Sequence, residues 1–177
     1  MRIEHGMVHV YTGDGKGKTT AALGLALRAL GWGLRVMMIQ FIKGYPNIGE
    51  IKFADKYRNG FRIHQFALDL KRDIDEQKVL ARHREAEEAM RFAEEVVNSG
   101  GFDLVILDEL SVAVHYGLID VDRVLRLIRE RPEHVELVIT GRNAPEELIF
   151  AADYATEMRL VRHPYQEGIK ARPGVDY

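Results

Sequence analysis

Nine consecutive residues, from Thr12 to Thr20, combine glycines, lysines and hydroxyls at a spacing that suits phosphate binding. Between them lie three glycines at alternate positions, followed by Lys18 and Thr19. Glycines let successive backbone N–H groups turn toward an anion, a lysine adds positive charge for phosphate oxygens, and a threonine hydroxyl can bind Mg²⁺. This pattern predicts a phosphate-binding loop. Its predicted contact residues are Thr12, Gly13, Asp14, Gly15, Lys16, Gly17, Lys18, Thr19 and Thr20.

The spacing of this loop departs from the usual motif, in which a glycine is followed by four residues and then Gly-Lys-Ser/Thr. Counting back from Gly17 puts Thr12 where the first glycine belongs, and starting at Gly13 leaves the loop one residue short. Either alignment predicts a nucleotide site whose phosphates need not lie as in ordinary P-loop hydrolases. The alternative is a glycine-rich turn without a ligand, which the preceding apolar run, the lysine and the hydroxyl all disfavour.

Two acidic residues, Asp108 and Glu109, follow a second apolar run at residues 104–107. Open α/β sheets bind their ligands at the carboxyl ends of the strands, so these carboxylates are expected beside the glycine loop. We predict that Thr19, Asp108 and Glu109 hold Mg²⁺, directly or through water. An alternative role for Glu109 is to polarise a hydrolytic water as a general base.

Two arginines and a strand end are further candidates. Arg142 follows a strand at the same edge of the sheet, where it either clamps phosphate or ribose or caps a loop through carbonyl contacts. Arg28 lies well into the helix after the loop, and its spacing alone makes it an ordinary surface residue. Gln40 and Lys43 leave a strand end close to the predicted site and are candidates to line it.

Composition excludes several classes of protein. The 25 basic and 27 acidic residues of the 177-residue chain nearly cancel, which leaves no basic footprint for nucleic acid. Cysteine is absent, which excludes disulfides and thiolate chemistry and favours a reducing cytoplasm. No apolar run reaches the length of a membrane span, and the polar residues 1–6 predict no signal peptide. The seven histidines show no metal-ligand spacing.

The elements that must position these residues alternate between strand and helix. Apolar runs and helical spacing predict an α/β, three-layer P-loop NTPase-like fold with a mainly parallel central sheet, in a single domain at residues 1–177. The predicted strands are residues 7–11, 35–41, 62–66, 104–107, 135–140 and 155–161. The predicted helices are residues 19–30, 75–99, a short stretch through 115, 121–129 and one through 151.

Several motifs in their order along the chain resemble those of the P-loop class of cob(I)alamin adenosyltransferases. They are residues 10–22, Gln-Phe-Ile-Lys-Gly at 40–44, Leu-Asp-Glu-Leu at 107–110, Thr-Gly-Arg at 140–142, and His-Pro-Tyr, Gly-Ile-Lys-Ala and Gly-Val-Asp-Tyr in residues 163–177. The resemblance spans nearly the whole chain. Together the loop and the tail are far more specific than a bare glycine-loop motif.

The resemblance implies transfer of the 5′-deoxyadenosyl group of ATP to the Co(I) centre of a reduced corrinoid, with release of triphosphate. It assigns Lys18, Thr19, Thr20 and the loop amides to the triphosphate, Glu109 with Thr19 to Mg²⁺, and Arg28 and Arg142 to the nucleotide. Lys18, Thr19 and Glu109 are thus the expected catalytic residues. By the same resemblance we expect a homodimer and an electron-donating reductase as partner.

Two departures from the family pattern bear on the corrinoid. Relatives carry an aromatic Phe-x-Trp element that shields the lower face of the corrin, whereas this chain has Phe66, Leu68 and Leu70 in that region. These residues either substitute for the element or belong to the core. An N-terminal extension of some relatives is also missing, so closure of the site is expected from elsewhere, such as a partner subunit.

Two rival functions remain at the level of sequence. One is a P-loop ATPase or small kinase in which Asp108 or Glu109 is the base, and which would release phosphate rather than triphosphate. The other is a module that binds ATP and a corrinoid without turnover, a reading that the altered aromatic element favours.

Overall fold

The computed structural model describes residues 2–42, 44, 47–68 and 76–177. Six strands occur in them: β1 (Val8–Thr12), β2 (Val36–Gln40), β3 (Phe61–Gln65), β4 (Leu104–Asp108), β5 (Glu136–Thr140) and β6 (Tyr154–Glu157). The helices are α1 (Lys18–Gly31), α2 (Gly49–Lys56), α3 (Glu76–Asn98), α4 (Leu110–His115), α5 (Val121–Glu130) and α6 (Glu146–Ala151). A short 3₁₀ turn, Pro164–Glu167, lies in the C-terminal tail.

The strands form one sheet in the order β3-β2-β4-β5-β1-β6, and every pairing is parallel. All five residues of β2 and of β4 are buried, which explains their nearly continuous apolar sequences. Because the strands are parallel, their carboxyl ends meet at one edge of the sheet. The register there pairs Gln40 with Asp108.

Helices cover both faces of the sheet and create two apolar clusters. The cluster under α1 and α2 contains Ala22, Ala26 and Met38, whereas the larger cluster on the opposite face contains Met90 and Leu107. The small alanines of α1 let this helix pack closely on the central strands. This arrangement is the three-layer α/β sandwich predicted from the alternation of elements, and that prediction is confirmed.

Two differences from the predicted elements affect the site. Helix α2 was not predicted, because only Ala54 of its eight residues is buried and the segment therefore lacks a clear apolar stripe. Strand β6 is shorter than predicted and ends at Glu157, with all four of its residues exposed. The chain then leaves the sheet edge at Met158 and passes over the glycine loop.

Candidate nucleotide and corrinoid site

The glycine loop joins β1 to α1 in a tight path that only glycine permits. Gly13 and Gly17 have φ angles of 92° and 125°, in the region that side chains disfavour. Gly15 is required for a different reason. A Cβ at this position would lie 2.6 Å from the carbonyl oxygen of Met158. The alternating glycines therefore serve both the turn itself and the close approach of a second chain segment.

Met158 is bonded to the loop through its backbone on both sides. Its N–H donates to the carbonyl of Thr12 at 2.8 Å, and its own carbonyl accepts the N–H of Gly15 at 2.6 Å. The Gly15 amide is thus committed to the protein, which distinguishes it from an amide that points at a ligand. This contact could not be predicted from the sequence, because a backbone hydrogen bond does not depend on residue type.

Lys18 is buried at the first turn of α1, with 7% of its surface exposed. Its Nζ donates to the carbonyl oxygens of Gly13 at 2.6 Å and Gly15 at 2.8 Å. Burial lowers the pKa of the Lys18 ammonium below its ordinary value, and the nearby carboxylate of Glu109 partly opposes that shift. An ammonium has three hydrogens, so one remains for a phosphate oxygen.

Asp108 is the buried anchor at the end of β4. Its Oδ1 accepts the hydroxyls of Thr19 at 2.8 Å and Thr140 at 2.7 Å, and its Oδ2 accepts the Gln40 amide at 3.4 Å. Three elements, α1, β5 and β2, are thereby bonded to one carboxylate. The structure brings Thr19 and Asp108 together as the metal-site prediction requires.

Glu109 follows in the left-handed conformation, with φ 64° and ψ 17°, and is the residue that precedes α4. Its N–H donates to the Thr140 hydroxyl at 3.0 Å, and the residue lines the cleft described next. A left-handed backbone is uncommon for a residue other than glycine and costs about 1–3 kcal/mol, so it occurs mainly at functional sites. Asp108 is therefore bonded within the edge of the sheet, whereas Glu109 lines the cleft.

A cleft of about 1210 Å³ opens at the carboxyl edge of the sheet. Its polar lining includes the glycine loop, Thr19, Glu109 and Arg142. The other residues that line it are Leu23, Ile42, Asn47, Ile48, Gly49, Glu50, Val112, Tyr116, Asn143, His163, Ala171, Gly174, Val175, Asp176 and Tyr177. Of the predicted contact residues, the loop from Asp14 to Thr20 faces this cleft.

Five of the predicted residues do not line the cleft, namely Thr12, Gly13, Arg28, Gln40 and Asp108. Thr12 is largely buried, and its hydroxyl accepts the N–H of Ala144. Arg28 is exposed on α1, ten residues after Lys18 and so about 15 Å further along the helix. Gln40 is fully buried and forms hydrogen bonds with Glu50, Asp108 and Gln65, so it supports the site without lining the cleft. Lys43 lies outside the described residues.

Two of the residues in place of the aromatic element, Phe66 and Leu68, pack in or against the core. Leu68 is 2% exposed within the larger apolar cluster. Phe66 packs against the rings of His64 and Phe92, with centroids 4.7 Å and 5.9 Å apart for the His64–Phe66 and Phe66–Phe92 pairs. Leu70 lies outside the described residues. Phe66 and Leu68 therefore follow the core alternative left open by the sequence.

The residues missed by sequence reasoning are those that line the cleft opposite the loop. They come from the start of α2, the end of α4 and the C-terminal residues. Tyr116, which follows α4, is half exposed there. The tail motifs marked these C-terminal residues as part of the family pattern, but no periodicity showed where they lie.

Two features are absent from the described residues, one related to metal binding and one to membrane insertion. Neither a group of three or more His, Asp or Glu residues suited to a metal nor a helix long and apolar enough to cross a bilayer occurs in the described part of the chain. A metal at this site would therefore have few protein ligands. That situation is usual for Mg²⁺, which takes the remaining oxygens from water and substrate phosphates.

Known proteins resemble this chain over nearly its whole length. The model of the family described as ATP:corrinoid adenosyltransferase BtuR/CobO/CobP matches residues 4–177. A corrinoid adenosyltransferase of Pseudomonas aeruginosa is 39% identical over 177 residues, which cover 99% of this chain and 86% of that protein. One from Escherichia coli K12 is 35% identical over 175 residues, covering 98% of this chain and 87% of that protein.

Solved structures share the fold at low sequence identity. The KaiC-like protein PH0186 of Pyrococcus horikoshii superimposes with a TM-score of 0.61 at 14% identity, covering 90% of this chain and 75% of that one. The flagellar accessory protein FlaH of Methanocaldococcus jannaschii gives 0.56 at 15% identity, covering 88% and 72%. These likenesses concern the fold alone.

Proposed function

The chain belongs to the family of ATP:corrinoid adenosyltransferases, and we propose that it transfers the 5′-deoxyadenosyl group of ATP to the Co(I) centre of a corrinoid, releasing triphosphate. One observation carries the assignment of the site. One large cleft is lined by loop residues 14–17, Lys18, Thr19 and Glu109, and Asp108 accepts the Thr19 hydroxyl there. The lining of that cleft combines polar groups for the triphosphate with apolar side chains for a second substrate.

The chemistry asks for alignment rather than for an activated water. An electron pair of Co(I) attacks the ribose 5′ carbon, the cobalt–carbon bond forms, and the bond from that carbon to the triphosphate oxygen breaks. Cobalt becomes formally Co(III), and the leaving group departs with the bonding pair. The protein must hold the two reactants in line and stabilise the charge that develops on the triphosphate.

Lys18 is the residue that we assign to this charge. Two of its hydrogens are fixed on Gly13 and Gly15 carbonyls, so the ammonium is already oriented before the substrate arrives. A preoriented cation in a buried site stabilises developing charge without the cost of reorganisation. Arg142 at the same end of the cleft is the second cation in our assignment.

Mg²⁺ fits the oxygen atoms gathered at the end of β4. The Thr19 hydroxyl and the Asp108 carboxylate are 2.8 Å apart, and Glu109 lines the cleft beside them. Hard oxygen ligands of this kind suit Mg²⁺. We assign Thr19 as a direct ligand and the two acids as partners of metal-bound water. When bound, the ion would neutralise phosphate charge.

An anaerobic reaction tests this function. The protein is incubated with ATP, Mg²⁺ and chemically reduced cobalamin, the cobalt–carbon product is followed by its visible spectrum, and the phosphate product is identified by chromatography. We expect adenosylcobalamin and triphosphate in equal amounts. Phosphate release without a cobalt–carbon product would contradict the proposal and favour an ATPase. Lys56→Ala, an exposed lysine at the end of α2, is a matched control for Lys18 variants.

Three further properties belong to the same proposal. Because Co(I) must be generated by reduction, the reaction needs an electron-donating reductase. We infer a homodimer, which light scattering of the purified protein would test. The chain contains no cysteine and therefore no disulfide, which is the usual state of proteins in a reducing compartment. This supports a cytoplasmic location.

A further inference from the structure

The last seven residues of the chain, 171–177, form one side of the cleft, and we call them the tail wall. Ala171, Gly174, Val175, Asp176 and Tyr177 line the cavity. The backbone carbonyl of Tyr177 lies 3.9 Å from the position that a Cβ on Gly49 would occupy, at the start of α2. The tail wall therefore spans the cleft from the glycine loop side to α2.

The tail wall is folded by contacts within itself. Asp176 Oδ2 accepts the backbone N–H of Arg172 at 3.0 Å and its Nε–H at 3.1 Å. The N–H of Gly174 donates to the carbonyl of Tyr177 at 2.8 Å, and Gly174 has a φ of 75°, which glycine adopts without strain. These bonds make a compact turn in which Arg172 and Asp176 act as a clasp.

The charge at the clasp connects the tail wall to the loop. The backbone hydrogen bond from Arg172 lowers the pKa of the Asp176 carboxyl most, and the Lys16 ammonium of the glycine loop adds to the shift. The clasp is therefore formed at neutral pH, where the carboxylate is ionised. It lies close enough to the loop for Lys16 and Asp176 to attract each other.

The chemistry of the tail wall suits a neutral, apolar ligand better than an anion. It presents the half-exposed side chains of Val175 and Tyr177, and its Asp176 carboxylate is paired with Arg172. Lys18 and Arg142, the cations that we assign to the triphosphate, lie outside the tail wall, which approaches the glycine loop near Lys16. With the tail wall in place the cavity still measures about 1210 Å³, above the roughly 300–1,000 Å³ of a pocket for one small ligand. The tail wall is thus a boundary of the cleft that leaves room for both substrates.

We propose that the tail wall is the corrinoid-contacting side of the active site, with Val175 and Tyr177 packing on the apolar macrocycle and the Arg172–Asp176 clasp positioning them. This inference rests on the adenosyl-transfer function proposed above.

Tyr177→Ala is the first test, measured by steady-state kinetics with each substrate varied in turn. We expect the KM for reduced cobalamin to rise by about tenfold, because a ring that packs on the substrate contributes roughly that factor in affinity. The KM for ATP should stay within about twofold. Tyr177→Phe keeps the ring and should retain nearly the original KM. A second readout, equilibrium dialysis of aquacobalamin in the presence of ATP, should show the same loss of affinity without any turnover.

Asp176→Asn tests the clasp, with Glu167→Gln as its matched control. Glu167 pairs with Arg162 at 2.6 Å in the same tail, and neither residue lines the cleft. We expect Asp176→Asn to raise the KM for cobalamin severalfold with kcat little changed, and Glu167→Gln to leave both constants unchanged. Asp176→Glu, which restores the carboxylate, should recover part of the loss.

Three outcomes would overturn the inference. One is unchanged cobalamin affinity in both Tyr177→Ala and Asp176→Asn. Another is a rise confined to the KM for ATP, which would assign the tail wall to the nucleotide. The third is an equal effect of the Glu167→Gln control, which would indicate a general loosening of the tail. Failure of the proposed function would look different, because the unmodified protein itself would then form no adenosylcobalamin.

Discussion

Two regions of the cleft, the glycine-loop region and the tail wall, are built in contrasting ways. In the glycine-loop region, Lys18 and Asp108 are buried and bonded to groups from several strands and helices. At the other side, the tail wall is exposed and is held mainly by bonds among its own residues. The triphosphate of ATP is small, highly charged and invariant in structure, so rigid, preoriented groups are suited to binding it. A large macrocycle with apolar faces is better bound by a peripheral segment of the chain that can change its conformation.

The contrast predicts the largest effect at Lys18. Lys18→Ala removes the cation that we assign to the leaving triphosphate, and kcat should fall by at least about 10²-fold, as for other preoriented groups that stabilise developing charge. The far-ultraviolet circular dichroism spectrum should remain that of the unmodified protein. An activity close to the original would remove the glycine loop from the mechanism, and Lys56→Ala controls for a general effect of losing a lysine.

Asp108→Asn should combine a loss of activity with a loss of stability. The amide keeps the size of the side chain and one oxygen that can still accept the Thr19 and Thr140 hydroxyls, but it places an NH2 group where Oδ2 accepts the Gln40 amide, so that buried bond is lost. We expect about 1–3 kcal/mol of destabilisation in urea unfolding, together with a higher Mg²⁺ requirement. Unchanged stability would mean that the Gln40 amide reorients at little cost, and the rigid description of this region would have to be abandoned.

Gly15→Ala probes the loop without touching its charges. The new methyl group would meet the Met158 carbonyl at 2.6 Å, so the segment after β6 must move. We expect a destabilisation of about 1–3 kcal/mol, the range for forced overpacking, and a rise in the KM for ATP. Gly24→Ala is the matched control, since a Cβ at that position on α1 has open space around it and alanine favours a helix.

The lowered pKa of Lys18 predicts how ATP use varies with pH. Burial favours the neutral amine, so above the lowered pKa the site loses the charge that ATP needs, although a free lysine would stay protonated to about pH 10.4. The kcat/KM for ATP should therefore decline at an alkaline pH below that value. In Lys18→Arg the group stays charged, so any activity that this variant retains should lack the alkaline decline. A decline of equal shape in both proteins would point to another group.

The smallest effect separates the two candidate arginines. Arg142 lines the cleft, and Arg142→Ala should raise the KM for ATP by about tenfold, the value of one charge-assisted hydrogen bond. Arg28 is exposed about 15 Å along α1 from Lys18, so Arg28→Ala should change that KM by less than about threefold. If Arg28→Ala has the larger effect, Arg28 acts on the cleft of another copy of the chain, as a homodimer would permit.

The same contrast explains what the sequence could predict. The buried strands β2 and β4 have nearly continuous apolar sequences, and the glycine loop with Asp108 and Glu109 follows a pattern of residue types, so the fold and the position of these residues at one edge of the sheet were predictable. Helix α2 was not, because it buries little apolar surface. The position of the tail wall depends on contacts between distant parts of the chain, and no local spacing records them. Arg28 shows the converse, since a resemblance can assign a role that the geometry of a single chain does not explain.

The bond between Gly15 and Met158 has a consequence for the order in which the protein can become competent during synthesis. The glycine loop is synthesised before β6 and before the segment after β6 that holds the shape of the loop. A ribosome releases the chain from its N-terminus onward, and domains fold as their residues emerge. A nascent chain that already contains every residue of the loop therefore lacks the backbone partner of Gly15. The loop can take its final shape only after Met158 has emerged.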